Sequence, residues 1–189
     1  MINELIVVSG LPRSGTSLMM QILKAGGIEI VSDGLRTADE FNPVGYYEDH
    51  RIKNLEKNNA WLKSEKGKAV KIISYGLPDI PLGLPVKIIY MLRDLDEIIL
   101  SQNRMLKDNI GKMSDENLKH CFNTHLNKIF TWMNEQKCLE FITVSYHDLL
   151  NHTSGEINRI NRFLDFSLRE KEACLAIKPE LYRSRKQKE

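Results

Sequence analysis

Long apolar runs are missing from this chain. No stretch approaches the ~20 consecutive apolar residues that a membrane-crossing helix needs. Met1-Ile2-Asn3-Glu4 lacks the basic start of a secretory signal, and Leu5 to Val8 is too short for its apolar segment. Excess charge of one sign is missing too: 27 basic and 25 acidic side chains leave a net charge of +2. Binding to the phosphate backbone of nucleic acid leaves a clear basic surplus, so a nucleic-acid protein is not expected. A small basic pocket for one anionic ligand remains compatible. Cysteine is scarce: Cys121, Cys138 and Cys174 make an odd count with no Cys-x-x-Cys pair. Buried or half-buried thiols in a reducing compartment are the natural expectation. The five histidines show no zinc spacing, since His147-x4-His152 has no partner cluster, and surface or capping roles are expected for them. No internal repeat, low-complexity segment or sustained heptad is visible, so oligomeric state cannot be read. The expectation is a cytoplasmic protein with no membrane span.

What is present suits one globular domain. The chain has 189 residues, 42% hydrophobic and 28% charged, enough to bury a continuous core under a sheet. Short apolar runs alternate with helical patterns. Leu5 to Val8 reads as a buried parallel strand, and Leu18, Met19, Ile22 and Leu23 recur at helical spacing until Gly26-Gly27. Ile28 to Val31 is a possible short strand, and residues 32 to 49 read as loop. Arg51 to Lys63 looks helical. Ala69 to Ser74, Val86 to Leu92 and Leu139 to Ser145 read as further strands. Helices are expected from Asp94 to about Lys107, from Asp115 to Gln136, and near 147–150, 154–165 and 168–177. The pattern predicts an α/β domain over residues 1–177 with a mainly parallel central sheet flanked by helices, followed by a polar basic tail, 178–189. Ligands of such sheets bind beyond the carboxyl ends of the strands.

Ser9-Gly10-Leu11-Pro12-Arg13-Ser14-Gly15-Thr16-Ser17 joins the first strand to the first helix. Its two glycines have the spacing of a nucleotide-triphosphatase phosphate loop, but the lysine expected after Gly15 is absent. The geometry still suits an anion. Glycine admits a close approach of backbone, successive amides turn inward, and the helix start adds partial positive charge. Ser14, Thr16 and Ser17 add hydroxyls, and Arg13 adds a forked cation matched to tetrahedral oxyanions. A plainer reading is a strand–turn–helix corner in which Ser14 caps the helix. A second motif follows at Val86 to Leu92, where Arg93 closes a strand and Ser101 lies eight residues on. Arg104, three residues after Ser101, shares its helix face.

Leu11 to Met19 resembles the 5′-phosphosulfate loop of the sulfotransferase family, and Arg93 with Ser101 is similar to that family's 3′-phosphate site. The resemblance implies a three-layer P-loop fold and 3′-phosphoadenosine 5′-phosphosulfate (PAPS) as donor, with no metal required. It implies that Arg13, Ser14, Gly15, Thr16 and Ser17 hold the 5′-phosphate and the sulfuryl group, and that Arg93 and Ser101 hold the 3′-phosphate. Lys71 matches a family lysine that reaches the active site. The histidine that follows this lysine in the cytosolic branch is missing, for Ile72, Ile73 and Ser74 stand there. Asp33, at about the place of a glutamate in the tyrosylprotein branch, and Glu48 are then the leading candidates for a catalytic base, with Glu40 behind them. The expected activity is sulfuryl transfer to a hydroxyl or amine acceptor, a small molecule or carbohydrate whose identity the sequence does not give. The competing readings are a P-loop kinase-like enzyme using ATP and Mg²⁺, with Thr16 on the metal and Asp94 as its carboxylate, and a non-catalytic nucleotide-binding module. The missing lysine, and a simpler role for Asp94 as helix cap, weigh against the kinase.

Overall fold

A computed structural model describes residues 2–39, 42, 45–105 and 113–178. The strands are β1 (Leu5–Gly10), β2 (Ile30–Val31), β3 (Ala69–Lys71), β4 (Val86–Leu92) and β5 (Leu139–Ser145). They form one sheet in the order β2-β3-β1-β4-β5, and each pairing is parallel. In β1 all six residues are buried, because both sides of the sheet are covered, and a strand buried on both sides has no polar face.

Alternation still sorts the side chains. Ile6 and Val8 of β1 and Ile89 and Met91 of β4 enter a core with α1 (Thr16–Ala25), α5 (Thr153–Phe163) and α6 (Glu170–Leu175). Leu5 and Val7, with Ile88 and Tyr90, enter the opposite core under α3 (Asp115–Glu135). A third cluster joins Leu11, just after β1, to Ile98 and Ile99 of α2 (Leu95–Met105) and Phe122 of α3. The result is the three-layer α/β architecture expected. Chain leaving β1 returns to the β2 side, whereas chain leaving β4 continues to β5. The two connections diverge at the carboxyl ends of neighbouring strands and open a crevice there.

Two local expectations change. Arg51 to Lys63 is not one helix but two 3₁₀ segments, His50–Asn54 and Ala60–Ser64. The Arg51 guanidinium turns back onto Asp49 (2.8 and 2.9 Å) and stacks 3.8 Å from the Trp61 ring. Ten residues of straight helix would hold Arg51 and Trp61 about 15 Å apart, so this contact requires the chain to fold back. The strand expected through Ser74 ends at Lys71, and a 3₁₀ segment with Pro78 runs from Ser74 to Asp79. Two of the three thiols also differ from expectation: Cys121 and Cys138 are exposed, whereas Cys174 is half-buried as expected. Among the described residues no helix is long and apolar enough to cross a membrane. Glu40 and residues 179–189 of the tail lie outside the described residues.

Candidate active site

At the carboxyl end of β1 the backbone takes three positive φ angles, at Gly10 (146°), Arg13 (70°) and Gly15 (103°). Residues 11–14 close a turn, with Ser14 N donating to Leu11 O at 3.1 Å. A Cβ on Gly10 would stand 2.7 Å from Met91 O and 2.4 Å from Ser14 Oγ, and one on Gly15 would stand 2.4 Å from Cδ2 of Tyr146. Only glycine fits either place. Arg13 has no such freedom, and its left-handed backbone costs roughly 1–2 kcal/mol. That strain sits at the place the anion cradle needs its turn.

Ser14 does not cap α1. The cap position is Gly15, with no side-chain cap and no acidic residue in the first turn. The amides at the positive end of α1 are therefore left for an outside acceptor. The Ser14 hydroxyl is fully buried and has no hydrogen-bond partner. An orphaned buried hydroxyl next to an uncapped helix start fits a phosphate or sulfuryl oxygen as its missing partner.

The second motif meets the first. Arg13 Nε donates to Ser101 Oγ at 2.9 Å, across 88 residues of sequence. Arg93 Nη1 reaches the Arg13 carbonyl at 3.3 Å, while its Nε pairs with Glu97 at 2.9 Å. The Arg93 guanidinium also lies 4.5 Å from the centroid of the Tyr146 ring. Asp94 caps α2, its carboxylate accepting from the amides of Asp96 (2.8 Å) and Glu97 (3.2 Å). Tyr146, at the start of α4 (Tyr146–Asn151), packs both Gly15 and Arg93.

Lys71, at the end of β3, is almost fully buried. Its Nζ donates to Tyr46 O (2.9 Å), Glu48 Oε1 (3.0 Å) and Ser17 Oγ (3.4 Å). Lys71 and Ser17 are thus brought together as expected, and Glu48 joins them. Glu48 also receives Arg36 Nη1 at 3.0 and 3.1 Å. The Arg36 guanidinium stacks 3.5 Å from the Tyr46 ring, whose hydroxyl bonds Asp39 at 2.7 and 2.8 Å. Burial pushes Lys71 below its ordinary value, against the pull of Glu48. Burial would raise Glu48, but Lys71 and Arg36 outweigh it and hold the carboxyl low.

Asp33 stands elsewhere in the strap formed by residues 32–49. Its carboxylate accepts from Leu35 N (2.9 Å), His50 N (2.6 Å) and His50 Nδ1 (2.9 Å). The backbone bonds, that from Leu35 first, lower its pKa. Asp33, Asp49 and His50 are the one trio among the described residues with metal-ligand atoms within 4.8 Å of one another. Asp49 is already committed to Arg51 and Asp33 to two amides.

Together the fold, the lysine-less loop and the strand-ending arginine define a P-loop α/β domain whose β1–α1 corner could hold an anion. The chain belongs to the sulfotransferase domain family, whose model matches residues 3–188. No curated protein matches its sequence. Among solved structures it is similar to the mouse sulfotransferase SULT7A1 complexed with PAP (15% identity, 93% of this chain and 63% of that one, TM-score 0.53). It is also similar to the sulfotransferase STF1 of Mycobacterium tuberculosis H37Rv (15% identity, 93% and 71%, TM-score 0.56). A third is the sulfotransferase domain of the Synechococcus PCC 7002 olefin synthase (18% identity, 92% and 76%, TM-score 0.53). The chain spans less than two thirds of the mouse protein.

Proposed function

We propose that this protein transfers a sulfuryl group from PAPS to a hydroxyl or amine acceptor. The observation that carries the reading is the Arg13–Ser101 bond at 2.9 Å, with Arg93 on the Arg13 carbonyl. Two motifs far apart in sequence meet at Arg13, the neighbour in sequence of the orphaned Ser14 hydroxyl. A donor with phosphates at both its 5′ and 3′ positions needs two such grips, whereas a nucleoside triphosphate needs one. The family and the PAP bound in the mouse relative support the same donor.

In this reading the amides of residues 13–17 and the hydroxyls of Ser14, Thr16 and Ser17 hold the 5′-phosphate and sulfuryl oxygens. Arg93 and Ser101 hold the 3′-phosphate. As the acceptor oxygen attacks sulfur, the S–O bond to the 5′-phosphate breaks and charge grows on the leaving phosphate oxygen. Arg13, Lys71 and the start of α1 face that charge from fixed positions, the arrangement that stabilises a transition state most. Glu48 orients and charges Lys71; its ion pairs make it a weak proton acceptor in this arrangement. Asp33, bonded to two amides, is proposed to shape the strap.

The test is thermal stabilisation by 3′-phosphoadenosine 5′-phosphate, the donor product, against ATP with Mg²⁺. Ligand at ~100 times its dissociation constant adds about 2.7 kcal/mol. A shift with the 3′-phosphorylated nucleotide, reduced in Arg93→Ala relative to that variant's own unliganded midpoint, is expected. Stabilisation by ATP–Mg²⁺ alone would overturn the proposal in favour of the kinase-like reading.

A further inference from the structure

His125 has no part in the donor grip. It lies on α3 one turn beyond Phe122, which packs with Leu11 of the β1–α1 loop. α3 thereby carries His125 to the carboxyl edge of the sheet. There its Nε2 stands 2.8 Å from Oγ of Ser74, a fully buried residue three positions after Lys71. Tyr75 is 51% exposed and stacks on the imidazole, with centroids 4.0 Å apart and planes 30° from parallel. The Tyr90 hydroxyl lies buried beside Ser74 without a hydrogen bond of ordinary geometry, one strand over from its register partner Ser9. A phenol, a serine and an imidazole therefore run in sequence from the sheet toward the surface.

Among the described residues Ser74 is the one hydrogen-bond partner of this ring. With Ser74 Oγ accepting the Nε2 proton, the lone pair of the neutral imidazole is on Nδ1. The titratable groups around it are Tyr75 from the 3₁₀ segment, Tyr90 from β4 through Ser74, and Lys128 and Cys121 from α3 itself. Burial first, and Lys128 second, push the imidazole below its ordinary value. Both effects favour the neutral imidazole, the form that can accept a proton. The carboxylates of Asp33 and Glu48 are instead tied up by amides and cations.

We infer that His125 Nδ1 takes the proton of the attacking acceptor, with Ser74 as the residue that positions the ring and Tyr75 as a wall beside it. This rests on the sulfuryl-transfer reading. The acceptor O–H gives its proton to Nδ1 while its oxygen forms the new O–S bond. The S–O bond to the donor phosphate breaks, and its electron pair leaves on 3′-phosphoadenosine 5′-phosphate. The imidazolium then returns its proton to solvent.

Water serves as the acceptor probe in the test. Release of 3′-phosphoadenosine 5′-phosphate from PAPS is followed against pH in the native chain, His125→Gln and Ser74→Ala, with product-nucleotide binding measured in each. His125→Gln is expected to bind the nucleotide normally, to turn over about 10²–10⁴-fold more slowly, and to lose the acid limb of the profile. Nitrogen NMR of the native chain is expected to find His125 as the Nε2–H tautomer, and Ser74→Ala to mix the tautomers. Native turnover and an intact acid limb in His125→Gln would overturn the inference, as would an Nδ1–H ring in the native chain. Failure of the native chain to bind the nucleotide would overturn the donor reading and this inference with it.

Discussion

The β1–α1 corner and the strap of residues 32–49 both border the same crevice, yet they are built by opposite means. The corner is backbone: three positive φ angles, a fully buried serine and a helix start, held by short-range geometry. The strap is side chain: its described residues form no helix, and ion pairs and hydrogen bonds fasten it through Arg36–Glu48–Lys71 and Tyr46–Asp39. Under the proposed function, the backbone cradle would hold the part of the reaction that does not change, the donor phosphates. A surface held by ion pairs can change its acceptor face without disturbing the cradle.

Arg13→Gly tests the corner most severely. Glycine accepts the φ of 70°, so stability should hold within about 1 kcal/mol. Turnover of PAPS should still fall about 10²–10³-fold, the usual cost of one charge-stabilising donor. Equal loss of fold and activity would mean that Arg13 is structural. Gly15→Ala comes next: its Cβ would meet Tyr146 at 2.4 Å with φ at 103°. Urea denaturation should show a loss of about 1–3 kcal/mol, where a strap variant such as Gly34→Ala, with open space around it, should lose less.

Ser101→Ala should weaken binding of 3′-phosphoadenosine 5′-phosphate by about tenfold, roughly 1.5 kcal/mol for a hydrogen bond to a charged group. Affinity for a nucleotide lacking the 3′-phosphate should stay the same. The smallest effect belongs to the strap. Glu48 has its folded pKa held below the ordinary 4.5, so its contribution is present above that pH and is lost as pH falls through the folded value. The urea midpoint of the native chain should therefore drop more steeply below about pH 4.5 than that of Glu48→Gln. Because Glu48 is partly exposed, the difference should stay under about 1 kcal/mol. Identical curves would place the strap's hold elsewhere.

This division also governs what could be read in advance. The corner was legible because Gly10, Arg13, Ser14 and Gly15 act through local backbone, and local backbone leaves a spacing in sequence. β4 and β5 were legible as apolar runs, and their ends match the structure. The union of Arg13 with Ser101 was visible only as two separate motifs. Arg51 on Trp61, Glu48 between Lys71 and Arg36, and His125 beside Ser74 left no local trace, because each is a contact between side chains distant in sequence. Nothing in the stretch around Tyr146 shows that its ring fills the space Gly15 leaves empty.

That last contact has a consequence for the chain as it is made. Residues 10–17 are made before Arg93 and Ser101, but the ring that backs Gly15 and stacks on Arg93 arrives only at Tyr146. A nascent chain stopped before β5 would hold the whole donor motif and lack the wall that shapes it. Nucleotide binding should therefore appear abruptly during translation, once β5 and Tyr146 have left the ribosome.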